Sequence, residues 1–135
     1  MENLKVINYK IDILKRALFK NKHMSSFPLY DNLKNDLPKK DLTIKQKEEL
    51  INCVLKMDSN AKELIYVLIQ QYNSEYNTGK FSDDIPFNAI KKQNSDTECD
   101  ISWSLTDIPI QLRQLLYKFM LLHIKNKAEE INRDF

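Results

Sequence analysis

Residues 100–105, Asp-Ile-Ser-Trp-Ser-Leu, set apolar side chains at every second position: Ile101, Trp103 and Leu105 against Asp100, Ser102 and Ser104. A period of two is the mark of a half-buried strand, and this is the one clear instance in the chain. Nearly everything else reads as helix. A single strand leaves its own N–H and C=O groups unpaired, so this one needs a partner. That partner is either a short segment of the same chain or a strand of another protein. The strand is therefore read as a docking edge.

A length of 135 residues with a net charge of +2 fits one domain, or one domain with an extension. No apolar run approaches a membrane span, and charged residues interrupt the first twenty positions, which argues against a secretory signal. Cys53 and Cys99 have neither metal-ligand spacing nor enough companions for a disulfide framework, so reduced thiols in the nucleus or cytoplasm are expected. The single glycine, Gly79, disfavours the glycine-rich loops that cradle phosphates and dinucleotides. The front of the chain is basic, but aromatic residues do not interleave with its lysines as stacking on nucleic acid requires. A solvated face is the preferred reading, and no direct nucleic-acid contact is expected.

In chain order, Leu4, Ile7, Ile11, Leu14 and Leu18 recur at three- and four-residue steps, which predicts an amphipathic helix over residues 1–23. Its wide stripe suits packing on the same domain, with homo-oligomerisation through this helix kept as the alternative. Residues 24–42 read as an irregular connection pinned by Phe27, Leu29 and Tyr30. Thr43 and Gln46 match a capping box that opens a helix reaching about Met57, with Leu50, Ile51, Val54 and Leu55 inward. Asp58-Ser59-Asn60 caps a second helix burying Ala61, Leu64, Ile65, Leu68, Ile69 and Tyr72. A polar stretch follows, within which residues 85–90 offer either one helical turn or a strand to pair with 101–105. After the strand, Thr106 or Asp107 is expected to cap a last helix with Pro109 in its first turn and Leu112, Leu115, Leu116, Phe119 and Leu122 inward. Residues 128–135 form a charged tail.

Taken together, residues 43–127 run helix, turn, helix, acidic loop, strand, Pro-started helix. This order resembles the extra-terminal (NET) domain of bromodomain and extra-terminal family proteins and of YEATS-containing transcription subunits. The residues that carry the resemblance are Gln46-Lys-Glu-Glu-Leu in the first helix and Leu64-Ile-Tyr-Val-Leu-Ile-Gln in the second. Asp100-Ile-Ser-Trp-Ser-Leu-Thr-Asp-Ile matches the alternating strand and its turn, and Ile108-Pro-Ile-Gln-Leu-Arg-Gln-Leu-Leu-Tyr-Lys-Phe-Met matches the third helix. The fold implied is mainly α: a three-helix bundle with one short strand or hairpin between the second and third helices, plus the added N-terminal helix.

The resemblance implies a non-enzymatic adaptor in chromatin-linked transcription that docks a partner's linear motif by strand addition. The peptide-binding residues it implies are Asp100, Ile101, Ser102, Trp103, Ser104 and Leu105 at the edge. Val67, Leu68, Leu112, Leu115 and Phe119 would line a groove between helices. Relatives carry carboxylates at outward strand positions where Ser102 and Ser104 stand here. No catalytic residue, metal ligand or cofactor is expected. His23 and His123 are isolated, and the acidic residues Asp83, Asp84, Asp96, Glu98 and Asp100 lack a regular ligand spacing. The alternative reading is a small structural or regulatory subunit held permanently in a larger assembly, one that contains nucleic acid in its widest form.

Overall fold

The structure is a computed structural model that describes residues 3–10, 28–76, 86–93, 95 and 98–133. Among the described residues, four helices and three strands follow in the order β1 (Asn3–Lys10), α1 (Pro28–Leu33), α2 (Ile44–Lys56), α3 (Ser59–Tyr76), β2 (Ile90–Gln93), β3 (Glu98–Ser104) and α4 (Ile110–Arg133), with a 3-10 turn, Leu105–Asp107, before α4. The fold is mainly helical. Its core is one cluster that, among the described residues, reaches from Tyr30 in α1 to Met120 in α4 and takes in Ile101, Trp103 and Leu105.

Local chemistry explains most element boundaries. The Thr43 hydroxyl accepts the Gln46 N–H at 3.1 Å while the Gln46 side chain accepts the Thr43 N–H at 2.9 Å, so two amides left over at the start of α2 are both paired. Asp58 opens α3 by accepting the Ala61 N–H at 2.9 Å, and that bond in particular holds its carboxyl below the ordinary range. Ahead of α4, the Ile108 N–H closes the 3-10 turn onto Leu105. α4 starts at Ile110, so Pro109 directly precedes it and its carbonyl accepts the first helical bond, from the Arg113 N–H at 2.9 Å; the expected caps Thr106 and Asp107 lie instead in the 3-10 turn.

A polar frame ties the connection between α1 and α2 to α4. Arg113 is mostly buried and donates to Asp41 at 2.7 Å and to the Ile108 carbonyl at 2.8 Å. Lys47 meets the same Asp41 oxygen at 2.9 Å. Partial burial opposes ionisation of Asp41, but the bonds from Lys47, Arg113 and the Leu42 amide outweigh it and hold its carboxyl below the usual range. Gln111, Gln114 and Lys118 donate to the carbonyls of Pro38, Lys40 and Asn35 at 2.7–2.8 Å. These bonds satisfy carbonyls of an irregular segment that has no ladder of its own.

Several expectations are corrected. Residues 3–10 form a strand, not a helix, so an amphipathic N-terminal helix available for oligomerisation does not begin there; residues 11–23 lie outside the described residues. Within the expected irregular connection, Pro28–Leu33 is a short helix. Proline suits the first helical turn, and α1 buries Tyr30 and Leu33 in the core. Leu55, Leu64 and Leu122 are exposed to solvent, at 50%, 37% and 37%: Leu55 and Leu64 lie just past the edge of their helices' buried faces, and Leu122, on the same face as Leu115, lies beyond Met120, the last buried residue described in α4. The charged tail continues α4 as far as Arg133.

Candidate strand-docking site

β3 is the middle strand of a three-stranded antiparallel sheet ordered β1-β3-β2. This corrects the reading of residues 100–105 as an open edge. That reading followed from assigning residues 3–10 to a helix, which left the strand without its partner. Instead β2 fills one flank, pairing Ile90 with Ser102, Lys91 with Ile101 and Lys92 with Asp100. Of the two options for residues 85–90, the strand begins only at Ile90; before it the chain turns through Phe87 and Asn88, both at positive φ.

β1 fills the other flank. Asn3 pairs with Ser104, Leu4 with Trp103 and Lys5 with Ser102; then the register shifts, and Ile7 pairs with Ile101, Asn8 with Asp100, Tyr9 with Cys99 and Lys10 with Glu98. Val6 is the extra residue of a bulge. Its effect is specific. Without it the strict alternation of a strand would put Leu4 and Ile7 on opposite faces. With it, both stand opposite residues of β3 that face the core. Val, Ile and Tyr at positions 6, 7 and 9 also favour extended backbone. β1 runs alongside α2 and α3 as well as β3, so its place is a slot with a sheet edge on one side and two helices near it.

Beneath the slot, Trp103 is fully buried. Its ring meets that of Tyr66 with centroids 6.5 Å apart, and its indole N–H donates to the Pro86 carbonyl at 2.8 Å. Tyr66, which lies off the apolar stripe of α3 in the sequence, is thereby explained: it is a wall of the Trp103 site. Leu68, Leu112 and Leu115 are also fully buried, and Phe119 is nearly so. They share one buried cluster with Ile101 and Trp103 and, with β1 in place, do not line an open groove, which corrects the expectation of one. Val67 is half-buried against the same cluster. Of the expected docking residues, Asp100, Ser102 and Ser104 remain half-exposed on the outer face of β3.

Sequence reasoning missed the hollow at the end of the slot. One residue past Ser104, the side chains of Ile44, Ile51, Leu105, Thr106 and Arg113 surround a hollow of about 290 Å³. Ile44, one residue beyond the Thr43 cap, is 77% exposed here. An unusually exposed isoleucine in a first helical turn is visible only once the helix is placed. A second hollow, of about 370 Å³, lies between α3 and α4, where Leu64, Leu122 and His123 meet Asp58 and Lys127. His123 stacks on Phe119 with ring centroids 6.3 Å apart and sits at the rim of the core.

Among the described residues, no group of three or more His, Cys, Asp or Glu side chains gathers in the manner of a metal site. Asp83, Asp84, Asp96 and His23 lie outside those residues. Burial pushes the Cys53 thiol above its ordinary pKa, which keeps it protonated and a poor nucleophile at neutral pH. No described helix is long and apolar enough to cross a membrane. Comparison of the chain with protein-family models, with curated proteins and with solved structures returned no match.

Proposed function

We propose that this protein is a non-enzymatic interaction module that receives an extended segment of a partner protein as a strand beside β3. The observation that carries the reading is β1 itself. A segment remote in sequence from β3 lies in register along it, flanked by α2 and α3. This is the geometry of strand addition, in which main-chain bonds supply affinity and alternate side chains supply selectivity. The opposite edge is a poor alternative. β2 has only four residues, and Lys91 stands opposite buried Ile101, where an incoming strand needs apolar character. The resemblance to NET domains supports the same class of function and, with it, a role in chromatin-linked transcription within the nucleus.

The test uses peptides tiled from candidate partner proteins and the isotope-labelled full chain. Peptides that bind should have apolar residues at alternate positions and should shift the amide resonances of residues 98–104. Binders that shift only the outer face of α4 would sink the proposal. That outcome would instead favour the second reading, a subunit bound permanently in a larger assembly. Its supporting observation is the far half of α4, where Leu121, Ile124 and Ile131 recur on one face and are 49%, 49% and 59% exposed.

A further inference from the structure

Because the slot beside β3 is filled by the chain's own residues 3–10, we infer that β1 is a built-in occupant of the docking site, and that an external strand enters only by exchanging with it. This rests on the strand-docking reading and adds regulation to that same site.

Three observations carry it. First, β1 has the pattern that the slot selects. Leu4 and Ile7 stand opposite Trp103 and Ile101, the two β3 residues buried most completely, whereas Lys5, Asn8 and Lys10 stand opposite Ser102, Asp100 and Glu98. An external ligand of the same slot is therefore an extended segment alternating apolar residues with polar or basic ones. Its best place for a cation is opposite Glu98 or Asp100. Second, the bulge at Val6 interrupts the ladder in its middle, so β1 forgoes regular pairing there. An unbulged strand of matching pattern pairs along its whole length and has the advantage. Third, the hollow lined by Ile44, Ile51 and Leu105 begins one residue past Ser104, which makes the last described register pair of β1, with Asn3. A strand that continues beyond that point gains apolar contacts in it.

The competition has a definite form. A strand on the same chain competes at a fixed effective concentration, while an external one competes in proportion to its own. Apparent affinity for the external strand falls by the fraction of molecules in which the slot stands open. Any change that loosens β1 then raises affinity without altering a single contact in the complex.

The experiment uses the full chain and, as probe, a synthetic peptide of residues 1–12 with a fluorescent label. Tyr9→Cys places a thiol opposite Cys99, and paired residues of antiparallel strands lie within disulfide reach. Oxidised, this variant has β1 locked on β3; reduced, it does not. The double variant Leu4→Asp/Ile7→Asp instead loosens β1. The expected result is no probe binding to the oxidised lock, binding restored on reduction, and binding about tenfold or more tighter to the loosened variant than to the wild type. Equal binding to the oxidised and reduced lock would overturn the inference, since the probe would then sit elsewhere; shifts at residues 90–93 would show that a strand still docks, on the β2 edge. If the amides of β3 exchange rapidly in the loosened variant and the probe still fails to bind it, the strand-docking reading itself falls. A wild-type dimer in sedimentation that the intramolecular lock dissolves would overturn the inference differently, by showing that β1 pairs with a second copy. Should the loosened variant fail to fold, the lock decides alone, because it adds a cross-link and leaves the core intact.

Discussion

The two flanks of β3 are built on different terms. β2 reaches β3 through only residues 94–97, so its pairing closes a short loop; β1 reaches it across the whole helical body. Closing a long loop costs more entropy, though the cost grows only slowly with length. The β2 flank has an unbroken register and a cation, Lys92, opposite Asp100. The β1 flank is twice as long but broken by a bulge, and offers Asn8 opposite the same Asp100. One flank is therefore short, local and regular. The other is long, remote and interrupted, which is the construction expected of a strand that can leave.

The largest test breaks both flanks together. Trp103 faces the core near the end of β3, opposite Leu4 of β1 and one residue past the Ser102–Ile90 pair with β2, against Tyr66, with its indole N–H bonded to the Pro86 carbonyl. Trp103→Ala should cost about 3–5 kcal/mol, as truncation of a large buried aromatic does. Denaturant melts would show it, and hydrogen exchange should rise in β1 and β2 alike. A variant that lost protection only in β1 would mean that Trp103 serves one flank, and the idea of a shared central strand would fail.

The next test leaves the sheet alone and strikes the frame beneath it. Asp41 is held ionised by Lys47 and Arg113, so its folded pKa lies below the unfolded value of about 3.9. A depressed carboxylate contributes stability that is fully present above the unfolded pKa and is lost as pH falls through the folded one. Asp41→Asn should therefore cost about 1–2 kcal/mol at neutral pH, through weaker bonds to Arg113 and Lys47. In strong acid the variant and the wild type should converge. Melts across pH 2–7 would check both statements, and exchange in β1 at neutral pH should stay as in the wild type. If β1 loosens with Asp41→Asn, its slot depends on the α4 frame and the two regions are coupled.

Helices α2, α3 and α4 were largely legible in the sequence, whereas α1, the polar frame around Arg113 and the β1 flank were not. The Thr43 box, the Asp58 cap and the apolar periods of α2, α3 and α4 are local signals, and each appears where the residues predict it. β3 was legible because nothing interrupts its alternation. β1 was hidden by its own bulge. Leu4 and Ile7 are three residues apart, a helical step, and only an extra residue at Val6 lets that spacing fall on one face of a strand. With residues 3–10 read as a helix, β3 is left without its partner and reads as an open edge, and core residues such as Leu112 and Leu115 then fall to a groove. Local pattern cannot reveal a partner that arrives from the other end of the chain.

That diagnosis yields a sharper test of about 1 kcal/mol. Deleting Val6 should leave Leu4 and the former Ile7 two positions apart, restoring strict alternation opposite Trp103 and Ile101. A continuous ladder gains roughly one hydrogen bond, worth about 0.5–1.5 kcal/mol, and the variant should be the more stable by about that much. Exchange at β1 amides should slow, whereas β2 amides should not change. A destabilised deletion variant would show that the bulge is required for β1 to follow the twist of β3.

The smallest effect is confined to one cross-strand pair. Lys92 stands opposite Asp100 and is exposed, so the pair contributes only about 0.2–1 kcal/mol and is screened by salt. Lys92→Glu puts two carboxylates across the strand boundary. Exchange at residues 90–93 should quicken at low salt and return toward the wild-type rate at high salt, with β1 unaffected. Asn8→Lys makes the mirror-image change, supplying a cation to Asp100 from the other flank. In the background of Lys92→Glu it should strengthen β1 while β2 remains weakened, so that the ranking of the two flanks inverts. If Asn8→Lys leaves β1 exchange unchanged at low salt, the outer face of β3 does not read charge. Selection of an external strand would then fall to the apolar positions opposite Ile101 and Trp103 alone.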